Sequence, residues 1–484
     1  MSFIGSIDKI AKATAANTEA AELNPDPRAM TGFEPHLLQA MVLPTLRRFN
    51  VGVYHRRFGK TVMMVNKLIE HALHCPFTNG RYAYLAPTYS QAEDVAWMYL
   101  DQYTEGIPGR KVELAKLAIT IPTYQGGEAR IRLYGVDSPK QRLRGLYLDG
   151  VVLDEYPWMP LSVWTDQVRP MLSDKQRSGA DALGRRNQWA DFIFTPFGRN
   201  HAYTMYKNAK IWQEGGTVAV DDGDGNEIAI GQDDWTATLM PVSETQLIDA
   251  EELRAVRATA GRSKYEREYE CSFDADIEGA IFGKEMRWLH RKGRLKSYPV
   301  IPGIPVNTAW DLGWDDHTSI VFFQVVNPED IRIVDHYSKG FASLSHYADV
   351  MVEKNYMYGY NIFPHDVEVT ELGTGKSRRA ILQSLGVRVS TIPGKASLSK
   401  QDMIHAAQAL LPYCRFNSEN CEALVDNLSL YRRNFNETTQ TYGLEPAKGP
   451  QNHDADALQM LALGLRVSGS DLEQAQSSGG RAIR

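Results

Sequence analysis

Cysteine is scarce in this chain: four in 484 residues, Cys75, Cys271, Cys414 and Cys421, scattered and with no Cys-x-x-Cys pair. Such spacing offers neither a disulfide framework nor a zinc site, and it suits a reducing compartment. Long apolar runs are missing as well. No stretch approaches the ~18 apolar residues of a membrane span. The alanine-rich, mixed-charge stretch 1–24 lacks the continuous apolar core of a secretory signal. We therefore expect a cytosolic protein with a partly ordered N-terminal arm over 1–30. Positive charge is not in excess either: 53 Lys and Arg against 59 Asp and Glu leave a formal net charge of −6. A chain basic all over is excluded, but nucleic acid is not, because binding depends on local patches. Short basic clusters are present at Arg47–Arg48, Arg56–Arg57, Lys140–Arg142–Arg144, Arg185–Arg186, Arg287–Lys296 and Arg378–Arg379.

The length allows two or three domains, and 43% hydrophobic residues is ordinary for a globular protein. No internal repeat is visible. From about residue 30 to 210, buried-strand runs (Val51–Tyr54, Arg81–Leu85, Ala129–Tyr134, Gly150–Leu153, Phe192–Thr195) alternate with helical stretches such as Thr61–Ala72 and Ser90–Tyr103. That alternation predicts a mostly parallel α/β sheet. A hairpin follows at 216–230; its Asp/Gly-rich turn lacks the residues of a calcium loop and reads as a plain turn. Ser243–Phe273 is helical and charged. A basic, then Pro/Gly-rich stretch reads as the linker. Beyond it, Thr308–Leu312, Ser319–Val326 and Ile331–Tyr337 form three consecutive strands, with Ile362–His365 and Val387–Ile392 as two more and helices to Val467. The expected domains are a P-loop unit over 31–285, with a small helical subdomain at about 211–285, a linker at 286–305, a second α/β unit over 306–468 and a disordered tail over 469–484.

Chemistry concentrates at two places. The first is strand Val51–Tyr54 running into His55-Arg56-Arg57-Phe58-Gly59-Lys60-Thr61 and a helix, the strand–loop–helix that cradles phosphates. Lys60 would reach the β/γ-phosphates and Thr61 would ligate Mg²⁺. Tyr54 stands where the P-loop pattern has its first Gly. Downstream, Val151-Val152-Leu153-Asp154-Glu155 is an apolar strand ending in two acids. Asp154 would hold Mg²⁺ through water and Glu155 would act as general base. Phe192–Phe194 ends at Thr195-Pro196 with Gly198, either a γ-phosphate sensor or a simple strand-ending turn. The second place is a set of distant acids: Asp311 in the first strand of the meander, Asp366 after the fourth, and Asp454 and Asp456 at the start of a late helix. An RNase H-like fold brings such positions together. Clustered carboxylates repel one another, and a pair of divalent ions relieves the repulsion and supports phosphodiester hydrolysis. Oxygen ligands favour Mg²⁺ or Mn²⁺.

These motifs resemble those of terminase large subunits of tailed double-stranded DNA bacteriophages, over residues 33–468. Arg56–Thr61 is similar to their arginine-bearing variant Walker A, in which the first Gly is often missing. Val151–Glu155 is similar to their Walker B, and Thr195-Pro196 to their coupling motif. By the same resemblance Gln39 corresponds to the adenine-recognising Gln, and Arg144 to a trans-acting arginine. Asp311, Asp366 and the His-Asp-Ala-Asp segment correspond to the nuclease acids, with Asp456 the better third ligand and Asp454 second; Asp316 and Glu371 are no more than secondary candidates, and Lys395 is either a phosphate contact or a surface lysine. The resemblance implies an ASCE-type P-loop NTPase followed by an RNase H-like nuclease, using ATP with Mg²⁺ and two Mg²⁺ or Mn²⁺ ions for cutting. It implies a DNA-packaging motor in the cytoplasm of an infected bacterium, with a two-state hinge loaded by the γ-phosphate. Its partners would be duplex DNA, a portal and procapsid, a small subunit and copies of itself in a ring. A helicase–nuclease of another family, or a nucleotide-gated DNA-binding scaffold without catalysis, remains open.

Overall fold

The computed structural model describes residues 30–137, 147–181, 183–221, 227–313, 317–370, 375–390, 398–436 and 441–468. They form two compact units that divide between Ala275 and Asp276.

The first unit carries β1 (Phe49–Tyr54), β2 (Asn79–Ala86), β3 (Lys111–Glu113), β4 (Ala118–Pro122), β5 (Glu128–Gly135), β6 (Gly150–Asp154), β7 (Trp189–Phe194), β8 (Val218–Asp221), β9 (Glu227–Ile230) and β10 (Trp235–Met240). Its sheet runs β10-β1-β7-β6-β2-β5-β4-β3. From β10 to β5 every neighbouring pair is parallel, and β4 and β3 are antiparallel. The central strands read as unbroken apolar runs because the sheet is covered on both faces. Tyr54, Tyr84, Val152 and Ile193 enter the core that holds Met63 and Ile69 of α2 (Lys60–Leu73), the helix after α1 (Leu37–Val42). Val51, Val53, Leu85, Leu153 and Phe192 enter the opposite core with Trp164 and with Ala209 of α3 (His201–Gln213). This two-residue alternation is the strand period. A short helix, α4 (Arg262–Glu268), lies further along.

A charged group sits deep inside this sheet. Asp191 of β7 is wholly buried. Lys67 Nζ lies 2.7 and 3.0 Å from its two oxygens, and Asn50 Nδ2 donates to Oδ1 at 2.5 Å. Removing one member of a buried ion pair leaves the other charge uncompensated. Asp191→Leu should therefore destabilise the unit by about 3–5 kcal/mol. Adding Lys67→Met to it should restore part of that loss, as read from urea unfolding midpoints. Equal midpoints for the single variant and the parent would show the pair to be dispensable.

The region 211–285 is not a separate subdomain. Its β10 joins the main sheet parallel to β1, because Trp235 and Leu239 belong to the same core as Phe49 and Val53. The hairpin is present as antiparallel β8 and β9, and its turn lies outside the described residues.

The second unit carries α5 (Gly283–Arg291), β11 (Leu295–Lys296), β12 (Val306–Asp311), β13 (His317–Asn327), β14 (Asp330–Gly340), α6 (Leu344–Lys354), β15 (Tyr358–Ile362), α7 (Lys400–Leu410), β16 (Cys414–Asn417), α8 (Glu422–Leu430), an antiparallel hairpin of β17 (Arg433–Asn436) and β18 (Thr441–Pro446), and α9 (Gln451–Ser468). The main sheet runs β11-β16-β14-β13-β12-β15. The β12-β13-β14 meander is antiparallel, and β15 lies parallel to β12. The expected linker is folded: Met286 and Leu289 of α5 are buried in this unit's core, and β11 pairs with β16. Its basic residues disguise an amphipathic helix. The expected strand at 387–392 forms no ladder over its described part, although Ser390 N donates to Asn361 O of β15. Among the described residues no helix is long and apolar enough to cross a membrane. The four cysteines are free and buried.

Candidate active sites

The first site lies at the C-terminal ends of β1, β6 and β7. After Tyr54 the chain turns through Arg57 (φ 74°) and Gly59 (φ 83°) into α2. A Cβ at Gly59 would meet the Gln39 amide at 2.8 Å, so both conformation and space select Gly there. Tyr54, in the place of the first Gly, is buried and stacks on Phe58 with ring centroids 4.5 Å apart. Its ring also covers Gly52, where a Cβ would sit 2.2 Å from it. The loop is thus braced by an aromatic pair in place of the missing Gly.

Lys60 Nζ lies 2.7 Å from Glu155 Oε1. Thr61 Oγ1 donates to Asp154 Oδ2 at 3.2 Å, and the Tyr84 hydroxyl donates to the same oxygen. Burial pushes the Asp154 carboxyl up to about 6 against the opposing pull of Lys60. Burial by itself would lower the Lys60 ammonium, but Glu155 and Asp154 outweigh it and raise it. Glu155 adopts φ 52°, ψ 45°, a left-handed conformation that costs about 1–3 kcal/mol. Its N–H donates to Ile193 O of β7 at 2.8 Å, which holds it there. Thr195 Oγ1 donates to Glu155 Oε2 at 3.4 Å. A continuous path therefore runs from Lys60 through Glu155 to the end of β7, the strand between β1 and β6.

Arg56 turns to Glu268 of α4, with Nη1 to Oε2 at 2.7 Å. Gln39 is buried, and its Nε2 donates to Gly59 O at 3.1 Å while Oε1 accepts from His36 N at 3.2 Å. Its amide is engaged in holding the loop before α2. Pro196 follows Thr195 in the turn after β7. Arg144 lies outside the described residues. Sequence reading overlooked Tyr84 and Glu268; Tyr84 stands on the strand beside β6, which only the strand order reveals.

The second site lies at the end of β12. Asp311 is the last residue of that strand and half-buried, not embedded mid-strand. His453 Nδ1 is 2.9 Å from its Oδ2. Asp456, one turn along α9, is bonded at Oδ1 by Lys400 Nζ and, at 3.1 Å, by Gln459 Nε2. Burial raises the Asp456 carboxyl; Lys400 opposes this and the charge of Asp311 adds to it.

The other two acids do not join them. Asp454 is enclosed: Ser319 Oγ (2.6 Å) and His336 Nε2 (2.8 Å) reach Oδ1, and Asn427 Nδ2 (2.6 Å) reaches Oδ2. Burial would raise it, but these bonds, His336 foremost, lower it. Successive helical residues are about 100° apart, so positions 454 and 456 face nearly opposite ways and only Asp456 can face Asp311. As a metal ligand Asp454 is therefore corrected to a structural carboxylate. Asp366 lies in the 3₁₀ turn beyond β15, at the same end of the sheet as Asp311, but it is half-exposed and pairs with His365 at 2.9 Å. Among the described residues no three His, Cys, Asp or Glu side chains stand together as a metal site. The expected convergence of three acids is not seen among the described residues. Asp316, Glu371 and Lys395 lie outside the described residues. His453 was legible in principle, since i and i+3 share a helix face; Lys400 carried no such signal.

No family model matches the sequence. A curated relative, the terminase large subunit of Thermus virus P23-45, is 23% identical over 90% of this chain and 87% of its own length. The terminase large subunit of Thermus phage G20c is 27% identical over 37% of each chain. Among solved structures, the large terminase of bacteriophage HK97 has 8% identity and a TM-score of 0.43, covering 92% of this chain and 95% of its own.

Proposed function

We propose that this chain, a homologue of the phage terminase large subunits, hydrolyses ATP in its first unit to translocate duplex DNA into a procapsid and cuts that DNA in its second. The observation that carries the reading is the path from Lys60 through Glu155 to Thr195. Lys60 and Glu155 neutralise each other. A triphosphate arriving at the loop competes for the Lys60 ammonium, which frees Glu155 to orient and deprotonate the attacking water. Thr195 registers that exchange at the end of β7, so the nucleotide differs in its contacts before and after hydrolysis, as any driven change requires. Thr61 and Asp154 would hold the Mg²⁺ that neutralises charge on the phosphates.

In the second unit, Asp311 and Asp456 would be the carboxylates that hold a hard divalent cation, since oxygen ligands favour Mg²⁺ or Mn²⁺. Such an ion supplies activated water and charge relief in phosphodiester hydrolysis. Asp366 stands at the same end of the sheet for contact with substrate. The partners of the reading are duplex DNA, a portal, a small subunit and further copies of the chain. DNA is gripped mainly by its phosphates, hence in a salt-sensitive way.

A strand-displacement pair tests this. With ATP, the full chain is expected to strip a triplex-forming strand from a duplex while leaving a forked duplex paired. Separation of the fork would assign a helicase–nuclease instead. Absence of ATP turnover, together with intact plasmid in Mn²⁺, would leave only a nucleotide-gated scaffold.

A further inference from the structure

Two guanidinium groups meet on one carboxylate beside the loop that precedes α2. Glu268, the last residue of α4, accepts from Arg56 Nη1 at Oε2 (2.7 Å) and from Arg267 Nη2 at Oε1 (3.2 Å). The backbone around the acid is tied on both sides. Arg56 N donates to Glu268 O at 2.7 Å, and Val242 N, just past the end of β10, donates to Tyr269 O at 2.8 Å. The two partners of the carboxylate differ in freedom. The Arg56 side chain is 60% exposed, against 15% for Glu268 and 11% for Arg267. Arg267 also lies over the Phe197 ring, with Cζ 5.7 Å from the centroid, a second contact that keeps it in place. Burial would raise the Glu268 carboxyl, but Arg56 and Arg267 outweigh it and lower it.

This asymmetry makes one contact exchangeable. Stripping an enclosed carboxylate of its counter-ion is costly. Here Arg267 stays on Oε1 when Arg56 leaves Oε2, so no bare charge is stranded. An ion pair whose cation is mostly exposed contributes little by itself and yields readily to a competitor. Arg56 stands four residues ahead of Lys60 in the same loop. Lys60 faces Glu155 and Arg56 faces Glu268, so each of these two loop cations is matched to a carboxylate of the protein. We propose that Glu268 is a positioning residue that competes with the phosphates of a nucleoside triphosphate for Arg56, and so sets how tightly the triphosphate is held. The proposal rests on the ATPase reading above. The triphosphate draws the guanidinium off Oε2, and Glu268 recaptures it when the nucleotide leaves.

Equilibrium titration of a fluorescent, non-hydrolysable ATP analogue into the full chain with Mg²⁺, with stopped-flow release, reads this competition. Glu268→Gln keeps the size of the side chain and removes its charge. It is expected to bind the analogue about three- to five-fold more tightly and to release it more slowly, the few-fold range of an exposed ion pair. Glu268→Asp, which keeps the charge, is expected to lie between Glu268→Gln and the parent. Arg56→Gln is expected to bind at least about ten-fold more weakly, as the loss of a charged hydrogen bond implies, and adding Glu268→Gln to it should change nothing further. Weaker or unchanged binding in a folded Glu268→Gln would make Glu268 a simple tether of α4 to the loop and overturn the proposal. Equal tightening in the Arg56→Gln background would overturn it too, because the effect would then be one of general charge. Should Glu268→Gln fail to fold, crystals of the parent with the analogue decide: Arg56 on a phosphate oxygen and off Glu268 supports the proposal, and Arg56 still on Glu268 overturns it. A parent that binds no nucleotide would instead remove the ATPase reading, which is a different outcome.

Discussion

Glu155→Gln is expected to lower ATP turnover by about 10²–10⁴-fold, the span typical of a lost general base, while leaving Mn²⁺-dependent cutting of plasmid DNA at the parental rate. The amide keeps the size of the side chain and can still meet Lys60 and Thr195, so the fold and the loop geometry persist. It cannot accept the proton of an attacking water. Steady-state phosphate release and plasmid nicking, run on the same preparation, read the two activities. Parental turnover in this variant would remove Glu155 from the chemistry and reduce its left-handed conformation to a structural detail.

Asp311→Asn is the mirror experiment. On the proposed reading Asp311 is a cation ligand, and its replacement removes a full negative charge from the site. Losing even an outer-shell partner typically costs a metal site 10–100-fold, so the loss of a direct ligand is expected to reduce cleavage by at least about 100-fold. ATP turnover should be unchanged, because the residue belongs to the other unit. Asp454→Asn makes a useful contrast. Its carboxylate is bound to Ser319, His336 and Asn427, and its loss acts on stability. If Asp454→Asn and Asp311→Asn lost cleavage alike at equal folded fraction, the division between the two acids would be wrong.

Most of the first unit was legible. Val51–Tyr54, Gly150–Leu153 and Phe192–Phe194 are buried on both faces, so their apolar runs reveal strands directly, and Gly59-Lys60-Thr61 announces the helix that starts there. Trp235–Met240 was not read as a strand, because half of its residues are polar or small and its place beside β1 is a long-range fact. The stretch at 286–305 looked like a linker on composition. Yet Met286 and Leu289, one helical turn apart, bury one face of α5 while its basic residues stay at the surface.

The sequence by itself determined which residue types were available and in what local setting: a Gly-Lys-Thr at a helix start, an Asp-Glu at a strand end, and acids at the right ends of widely separated elements. Those are short-range properties, encoded by periodicity and by the backbone conformations that Gly and β-branched residues permit. Which acids meet was decided only by the tertiary structure. The direction a side chain takes from α9 depends on how that helix is rotated against β12, and the packing of Ala455, Leu458 and Leu461 into the core sets that rotation. It brought His453 to Asp311, sealed Asp454 away, and placed Lys400, 56 residues distant along the chain, at Asp456 Oδ1.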